Sequence, residues 1–466
     1  MCKDQIRSER FDMQKPTAAS ERMKEMASSP QRSPKTFLIA VFLIAFVLRL
    51  CVMFATSSYH VVNDDTDHFG FGWEMGRVAR SLAEGAGFSS PLPLPTGPTA
   101  IVGPVYPLLL ALIFKILGVY STASAIAIRV IQSVFASLTC LFVYLCGRDS
   151  VGEATGKLAA VIWAVFPLNI FFTVTKVWET SLTALLTAAL FWYMLPLRDS
   201  LSARRWSAAG AFLAIAALLN TSLVVLIAPF GLSALWRNRA RVLRPATIGA
   251  LTCVVVVSPW LVRNYVQFGK FMLRSNFPLE FRVANNEWSH GQKIEDLHPS
   301  NSPKVNRHWQ DVGEPRFMAE ERDLNSKFLA AHPGRFALAT VNRIVNYWTA
   351  AWITPTVDTP NSWPVIIGTS IVSLLGLLGL VRMFHAGNSA AFMYAGCLFI
   401  YPWPYYLTTS QPRFYHAITP LLILLGAYWV VNWKDRRMTP VAAREGSPPE
   451  TGACTMDTTS GRLLNQ

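Results

Sequence analysis

Between Asn63 and Pro107 the chain gathers the side chains best suited to moving a proton. Asp64, Asp65 and Asp67 precede a predicted helix from about Phe69 to Ala83, which carries Glu74. A carboxylate held beside a hydroxyl is a general base. In that helix Met75, Val78, Ala79 and Leu82 share one face. Glu74, Arg77 and Arg80 are placed to meet polar surroundings, and Gly85 and Gly87 stop the helix. The expectation is an amphipathic helix lying on a membrane, with carboxylates just above the bilayer. Candidate catalytic residues are Asp67 and Glu74; Asp65 and Arg77 are candidates for holding substrate. The bland alternative is that Asp67 caps the helix and the acidic run is a solvated loop. Asp65-Thr66-Asp67 also offers hard oxygen ligands to a divalent cation, a weak signal at three residues.

Two further sites collect unusual polar residues. In KVWET (176–180), Glu179 joins the catalytic candidates. Its bland reading is a carboxylate at a helix start, where the dipole favours it. In TSQPRFYH (409–416), Arg413 is placed to hold a phosphate bidentately. Its bland reading is a headgroup anchor. Together the sites supply a base for an acceptor hydroxyl and a cation for a departing phosphate. Transfer from a lipid-phosphate donor needs both.

The elements that position these residues are apolar. The 466 residues are 52% hydrophobic and 15% charged, with mean hydropathy +0.31. That composition points to a polytopic membrane protein. The formal charge of +14 marks cytoplasmic loops before nucleic acid, and no basic stretch is interleaved with aromatics, so no nucleic-acid partner is expected. Seven scattered cysteines form no CxxC pair. The expected class is all-α: about ten transmembrane helices within residues 37–433, with outer juxtamembrane helices and outer loops at 57–124 and 264–363. Residues 1–36 and 434–466 read as disordered cytoplasmic tails. Arg49, in the first span, is expected to snorkel to the outer interface. Residues 101–118 read as interfacial or re-entrant, because only then do the basic loops at 147–157, 198–205 and 237–244 share one side. Residues 344–356 read as an interfacial helix.

The motifs in order resemble a known family. GRVARSLAEGAGFSSP with GPTAIVGPVYPLLLALIFKILG, then FPLNIFFTVTKVWETSLTALL, SPWLVRNYVQFGKF followed by ANNE, and QPRFYHAITPLLILLGAY resemble bacterial GT-C glycosyltransferases. The closer likeness is to the branch of protein O-mannosyltransferases and lipid A aminoarabinose transferases, over about residues 37–433. That resemblance implies a hexosyl or pentosyl transferase of the inner membrane. It would take sugar from a polyprenyl-phosphate carrier on the non-cytoplasmic face, for a glycan, lipid or protein acceptor. It places the catalytic acid in the first outer loop, at Asp67 or Glu74, the second carboxylate at Glu179 and the phosphate-facing cation at Arg413. Members often carry Asp where this chain has Phe71. Parts of the superfamily work without metal. Two other classes remain open: a transporter or flippase for lipid-linked glycans, and a non-catalytic assembly subunit. A transporter should bury ionisable residues deep in its spans; here the acidic ones gather at outer helix ends.

Overall fold

A computed structural model describes residues 34–60, 69–353 and 362–433. Asp64, Asp65, Asp67 and both tails expected at the termini beyond Pro34 and Trp433 lie outside the described residues. The described chain is helical. Its β pairing is one lone bridge between Ser89 and Pro98. The first half contains α1 (Pro34–Ala55), α2 (Trp73–Ala83), α3 (Val105–Leu117), α4 (Thr122–Ser150), α5 (Glu153–Val165), α6 (Pro167–Thr175), α7 (Thr180–Met194), α8 (Ala203–Leu219), α9 (Ile227–Asn238) and α10 (Leu243–Phe268). A polar layer follows: α11 (Phe277–Ala284), α12 (Pro303–Val312), α13 (Glu314–Ala331) and α14 (Pro333–Thr349). The chain returns to the bundle through α15 (Trp363–His385), α16 (Ala391–Ile400), α17 (Trp403–Leu407), α18 (Pro412–His416) and α19 (Thr419–Val431).

Five of the helical runs are long and apolar enough to cross a bilayer, six if α5 and α6, bent by 48° at their junction, form one span. This is an integral membrane protein. The expectation of about ten spans also counted α8 and α19, of 17 and 13 residues, and divided Thr221–Phe268, one of these five runs, into two. Small residues let the helices approach. A Cβ on Gly210 of α8 would lie 2.0 Å from the Gly249 carbonyl of α10, the close backbone contact that substitutes for a hydrophobic drive inside lipid.

Hydrogen bonds fix which loops share an end. Asn238 donates to the Arg198 carbonyl (2.7 Å) and Asn388 to the Ser150 carbonyl (2.7 Å). Asp149, Arg198, Arg205 and Asn388 also line one pocket, so the three basic loops and the α15–α16 turn meet at one end of the bundle. At the other end α3 both begins and finishes. Gly103, just before it, packs on the Leu218 carbonyl, and Tyr120, just after it, donates to the Gly76 carbonyl (3.3 Å). With 13 residues α3 is about 20 Å long. Leu108, Leu112 and Ile116 are exposed on one side, and Tyr106, Leu110 and Phe114 are buried on the other.

Three sequence expectations change. First, α2 does not lie open on a membrane. Met75 and Ala79 pack with α3 residues in one core. Val78 and Leu82 pack with Leu279, Trp309 and Phe317 of the polar layer in another. A helix with both flanks apolar is wedged between two layers. Second, Arg49 does not snorkel. It is fully buried and donates to the Ala45 and Ala164 carbonyls, each at 3.0 Å, because the α5–α6 break frees a carbonyl within reach. Third, residues 344–349 are the end of α14, a 17-residue helix, rather than a short separate one; 354–361 lie outside the described residues.

In a chain lacking Cys2, Cys51 and Cys454, an impermeant thiol reagent applied to one membrane face should label Glu295→Cys but neither Ser150→Cys nor Ser202→Cys. Applied to the opposite face it should do the reverse. Labelling of Glu295→Cys and Ser202→Cys from the same face would contradict this topology.

Candidate active site

Segments far apart in sequence converge on one cavity of about 470 Å³, at the bundle end away from the basic loops. Glu74, Glu179 and Arg413 all line it. Each comes from a different one of the three polar stretches the sequence singles out. The volume falls in the ~300–1,000 Å³ range of small-molecule sites.

Glu74 sits in the first turn of α2, where the helix dipole favours a carboxylate. The helix starts abruptly because Gly72 takes a left-handed φ of 102°. A Cβ there would lie 2.8 Å from the Val177 carbonyl, so glycine lets α2 begin hard against the KVWET loop. Ser300 donates its hydroxyl to Glu74 Oε1 at 2.7 Å, and His298 Nε2 lies 3.9 Å from the same oxygen. Burial pushes the Glu74 carboxyl up, but His298, Arg77, Ser300 and Lys293 together outweigh it and hold the group below the usual carboxylate range. Burial, then the Lys293 charge, lowers His298 to about 3. His298 is therefore neutral at pH 7. Its Nδ1 accepts the Ser300 amide (3.2 Å), which assigns the proton to Nε2, facing Glu74. At neutral pH the charge that keeps Glu74 ionised comes from Arg77 and Lys293; His298 contributes a polar N–H.

Glu179 immediately precedes α7, yet its side chain makes no capping hydrogen bond. It lines the cavity instead. The loop carrying it is held from α4: Gln132 donates to the Thr173 and Lys176 carbonyls (both 2.8 Å), and Arg129 to the Val174 carbonyl (2.9 Å). Arg413, in α18, is clamped by aromatic faces, with its guanidinium 4.0 Å from the Trp178 ring centre and 4.8 Å from that of Phe414. Such stacking fixes the plane of the fork. Trp178, Thr409 and Arg413 also line a second cavity of about 890 Å³. Its walls are apolar on the α6 side, through Leu168, Phe171 and Phe172, with Lys293 and Gln411 opposite. Arg413 stands between a charged chamber and an amphipathic one.

The polar layer supplies residues that sequence reasoning missed. Glu280 of α11 lines the charged cavity. Burial pushes its carboxyl above the usual range, against the pull of Lys293 and Arg413. Two carboxylates in one cavity are thus driven apart, Glu74 down and Glu280 up, the pattern of paired acid and base roles. Arg274 lines the cavity as well and donates to the Leu219 carbonyl. Glu280, His298 and Ser300 follow no motif in the sequence. Arg343 anchors this layer, donating to the carbonyls of Tyr406 (2.7 Å) and Ala284 (3.1 Å) and to Asn285 Oδ1 (2.9 Å).

The remaining candidates lie elsewhere. Arg77 is buried, donates to the Pro91 carbonyl at 3.2 Å and lines neither cavity. Phe71 is buried beside Phe114 and Tyr120, so position 71 faces an apolar core. Asp65 and Asp67, the expected cation ligands, are outside the described residues. Among the described residues no group of three or more His, Cys, Asp or Glu side chains is arranged to hold a metal ion.

Residues 100–262 match the family described as Dolichyl-phosphate-mannose-protein mannosyltransferase, in agreement with the likeness read from the motifs. No curated protein matches the chain in sequence. Solved structures similar to it include the archaeal oligosaccharyltransferase AglB from Archaeoglobus fulgidus, in complex with an inhibitory peptide and a dolichol-phosphate. That match has 14% identity, covers 86% of this chain and 51% of that one, and has a TM-score of 0.48. ArnT from Cupriavidus metallidurans bound to undecaprenyl phosphate matches with 12% identity over 84% of this chain and 77% of that one, at a TM-score of 0.38. The chain spans 51% of the length of AglB, about half.

Ser300→Ala removes a hydrogen bond to ionised Glu74 and should raise the Glu74 pKa by about one unit. The acid limb of any activity that needs this carboxylate should move up by the same amount. An unmoved limb would remove Ser300 from the control of Glu74.

Proposed function

We propose that this protein is a glycosyltransferase that moves a single sugar from a polyprenyl-phosphate carrier to an acceptor hydroxyl, at the non-cytoplasmic face of the inner membrane. One observation carries the reading: Glu74, Glu179 and Arg413 share a charged cavity that adjoins an amphipathic one through Arg413 and Trp178. A lipid-phosphate sugar needs such a pair of compartments. Its polyprenyl chain lies against apolar walls, its phosphate meets a cation, and its sugar projects into a polar chamber. The matched family is named for a donor of this class. The cavity also lies opposite the basic loops, which the positive-inside rule assigns to the cytoplasm.

In this mechanism Glu74, ionised at neutral pH, accepts the proton of the acceptor hydroxyl. The acceptor oxygen forms the new bond to the anomeric carbon as the carbon–oxygen bond to phosphate breaks. The electron pair leaves with the lipid phosphate, whose charge Arg413 and Lys293 stabilise. Attack from the face opposite the phosphate inverts the anomeric centre. Glu280, whose carboxyl burial raises above the usual range, and Glu179 position the sugar through its hydroxyls. Asp67 remains a second candidate for the base, and Asp65 with Asp67 for holding a divalent cation. Arg77 acts on this site through its charge. The acceptor, whether glycan, lipid or protein, enters from the aqueous side. A translocation path is disfavoured because buried arginines within the bundle, Arg49 and Arg129, are bonded to backbone carbonyls.

Glu74→Gln should lower kcat by about 10²- to 10⁴-fold, the contribution of a general base, with the protein still folded. Wild-type turnover would exclude Glu74 as the base. Because Glu74 lies below the 4.5 of an ordinary glutamate, it is mostly ionised above that pH, and its charge is lost as pH falls through the lowered value. Base-dependent turnover should therefore be flat above about pH 5.5 and fall only in stronger acid.

Arg413→Ala should weaken donor binding about 10- to 100-fold, the loss of a charge-assisted contact, while acceptor binding changes little. Titration calorimetry with a short-chain polyprenyl phosphate separates the two. Equal losses for donor and acceptor would make Arg413 a structural anchor.

A further inference from the structure

The pocket at the basic-loop end of the bundle has a volume of about 860 Å³, and the proposed transfer does not use it. Four segments meet around it. Asp149 and Ser150 end α4, Trp192 and Tyr193 lie at the end of α7, and Arg198, Asp199 and Arg205 lead into α8. Ala386 to Ala390, the α15–α16 turn, close the far wall. Side-chain bonds fix the rim. The Trp192 indole donates to Asp149 Oδ2 (2.8 Å), and the Tyr193 hydroxyl to the Arg205 carbonyl (3.4 Å). Asn388 ties the turn to α4 through the Ser150 carbonyl.

The charge balance says what kind of ligand fits. Both carboxylates of the pocket are already neutralised. Arg148 holds Asp149 through Nε at 2.6 Å and Nη2 at 3.2 Å. Asp199 takes Arg198 on one oxygen (3.1 Å) and Arg237 on the other (2.6 Å). Arg205 lines the same pocket and has no ion-pair partner among the described residues. Four arginines thus meet two aspartates, and positive charge is in excess. Across the pocket Ser389 stands at the start of α16, whose amide end also favours an anion. Guanidinium forks match phosphate oxygens. The surroundings of the pocket are amphipathic. Phe384, Val430 and Val431 are exposed beside lining residues Ala386 and Tyr428, as is Leu201 beside Asp199. In an integral membrane protein such side chains face hydrocarbon, and Trp192, Tyr193 and Tyr428 are the aromatic types that sit at headgroup level. The pocket therefore lies where lipid meets water.

We propose that this pocket binds a phosphate ester, and that its source is the headgroup of an anionic phospholipid in the adjoining leaflet. The phosphate meets Arg205 and the amide end of α16, and the acyl chains run out past Phe384 and Val431. Basic pockets between helices on the side of the basic loops suit acidic headgroups. A lipid seated there bridges α7, α8 and the α15–α16 turn. The pocket lies at the end of the bundle away from Arg413, so its ligand does not depend on the transferase reading.

The test uses the purified full chain, stripped of lipid in a neutral detergent and titrated with phosphatidylglycerol, phosphatidylcholine or glycerol phosphate. The thermal midpoint should rise saturably with phosphatidylglycerol, on the order of 5 °C, and native mass spectrometry should show the lipid retained. Phosphatidylcholine, which carries no net charge, should bind more weakly. Arg205→Gln should weaken phosphatidylglycerol binding about 10-fold, the loss of a charge-assisted contact. Ser389→Asp, which adds a negative charge at the opposite wall, should weaken it too. Arg204→Gln, at a neighbour outside the lining, should leave it unchanged. All three positions are exposed, so the variants should fold. An equal rise with glycerol phosphate would keep the phosphate site and overturn the lipid as its source. Equal losses in Arg204→Gln and Arg205→Gln would reduce the site to diffuse surface charge and overturn it. So would an undiminished response in Arg205→Gln, or no response of the wild type to any of the three ligands.

Discussion

Backbone that leaves regular helix near the hydrocarbon must find hydrogen bonds inside the protein, since lipid supplies none. The structure turns on how this is met around the broken α5–α6 pair. Gln132 and Arg129 of α4 take the carbonyls at the end of α6, and Arg49 of α1 takes one at the end of α5. With those groups satisfied, the KVWET loop can leave the bundle in a fixed direction. It meets α2 at Gly72, and Trp178 becomes the plate on which Arg413 stacks. The relation between Glu74, Glu179 and Arg413 is set by these few side-chain-to-carbonyl bonds.

Around that frame the polar layer works as a lid with its own supports. Arg263 donates to the carbonyls of Thr99 (2.6 Å) and Phe88 (2.8 Å), and Glu314 accepts from the Ala100 amide (2.9 Å). The loop after α2 is thereby stitched to α10 and α13. The same layer brings Glu280, Lys293, His298 and Ser300 over the cavity. Their charges and burial push the two carboxylates in opposite directions. A cavity that lowers one carboxyl and raises another separates the two groups in acidity, the pattern of paired acid and base roles.

Individual residues mark how far the sequence could be read. Glu74, Glu179 and Arg413 were legible because a charged side chain at the end of an apolar run is costly unless used. Whether Glu179 merely capped α7 was not legible, since a cap and a cavity-facing carboxylate look alike until the side-chain direction is known. Glu280 and His298 were invisible: each follows no spacing rule, and each matters only through what lies across the cavity. Arg49 was misread for a related reason. Its reach to the membrane surface is a property of its own side chain, but the free carbonyl it prefers belongs to Ala164, more than a hundred residues away.

The sequence alone determined the helical class, the membrane setting, the grouping of basic loops at one end and three of the residues that line the cavity. Those follow from apolar run length and charge placement, which are local quantities. Tertiary structure decided that the three polar stretches share one chamber and that α2 is wedged between layers. It also decided which carboxylate is held ionised and that a buried arginine lies below the site. These depend on distance, burial and direction between distant segments, and no local pattern in the chain encodes them.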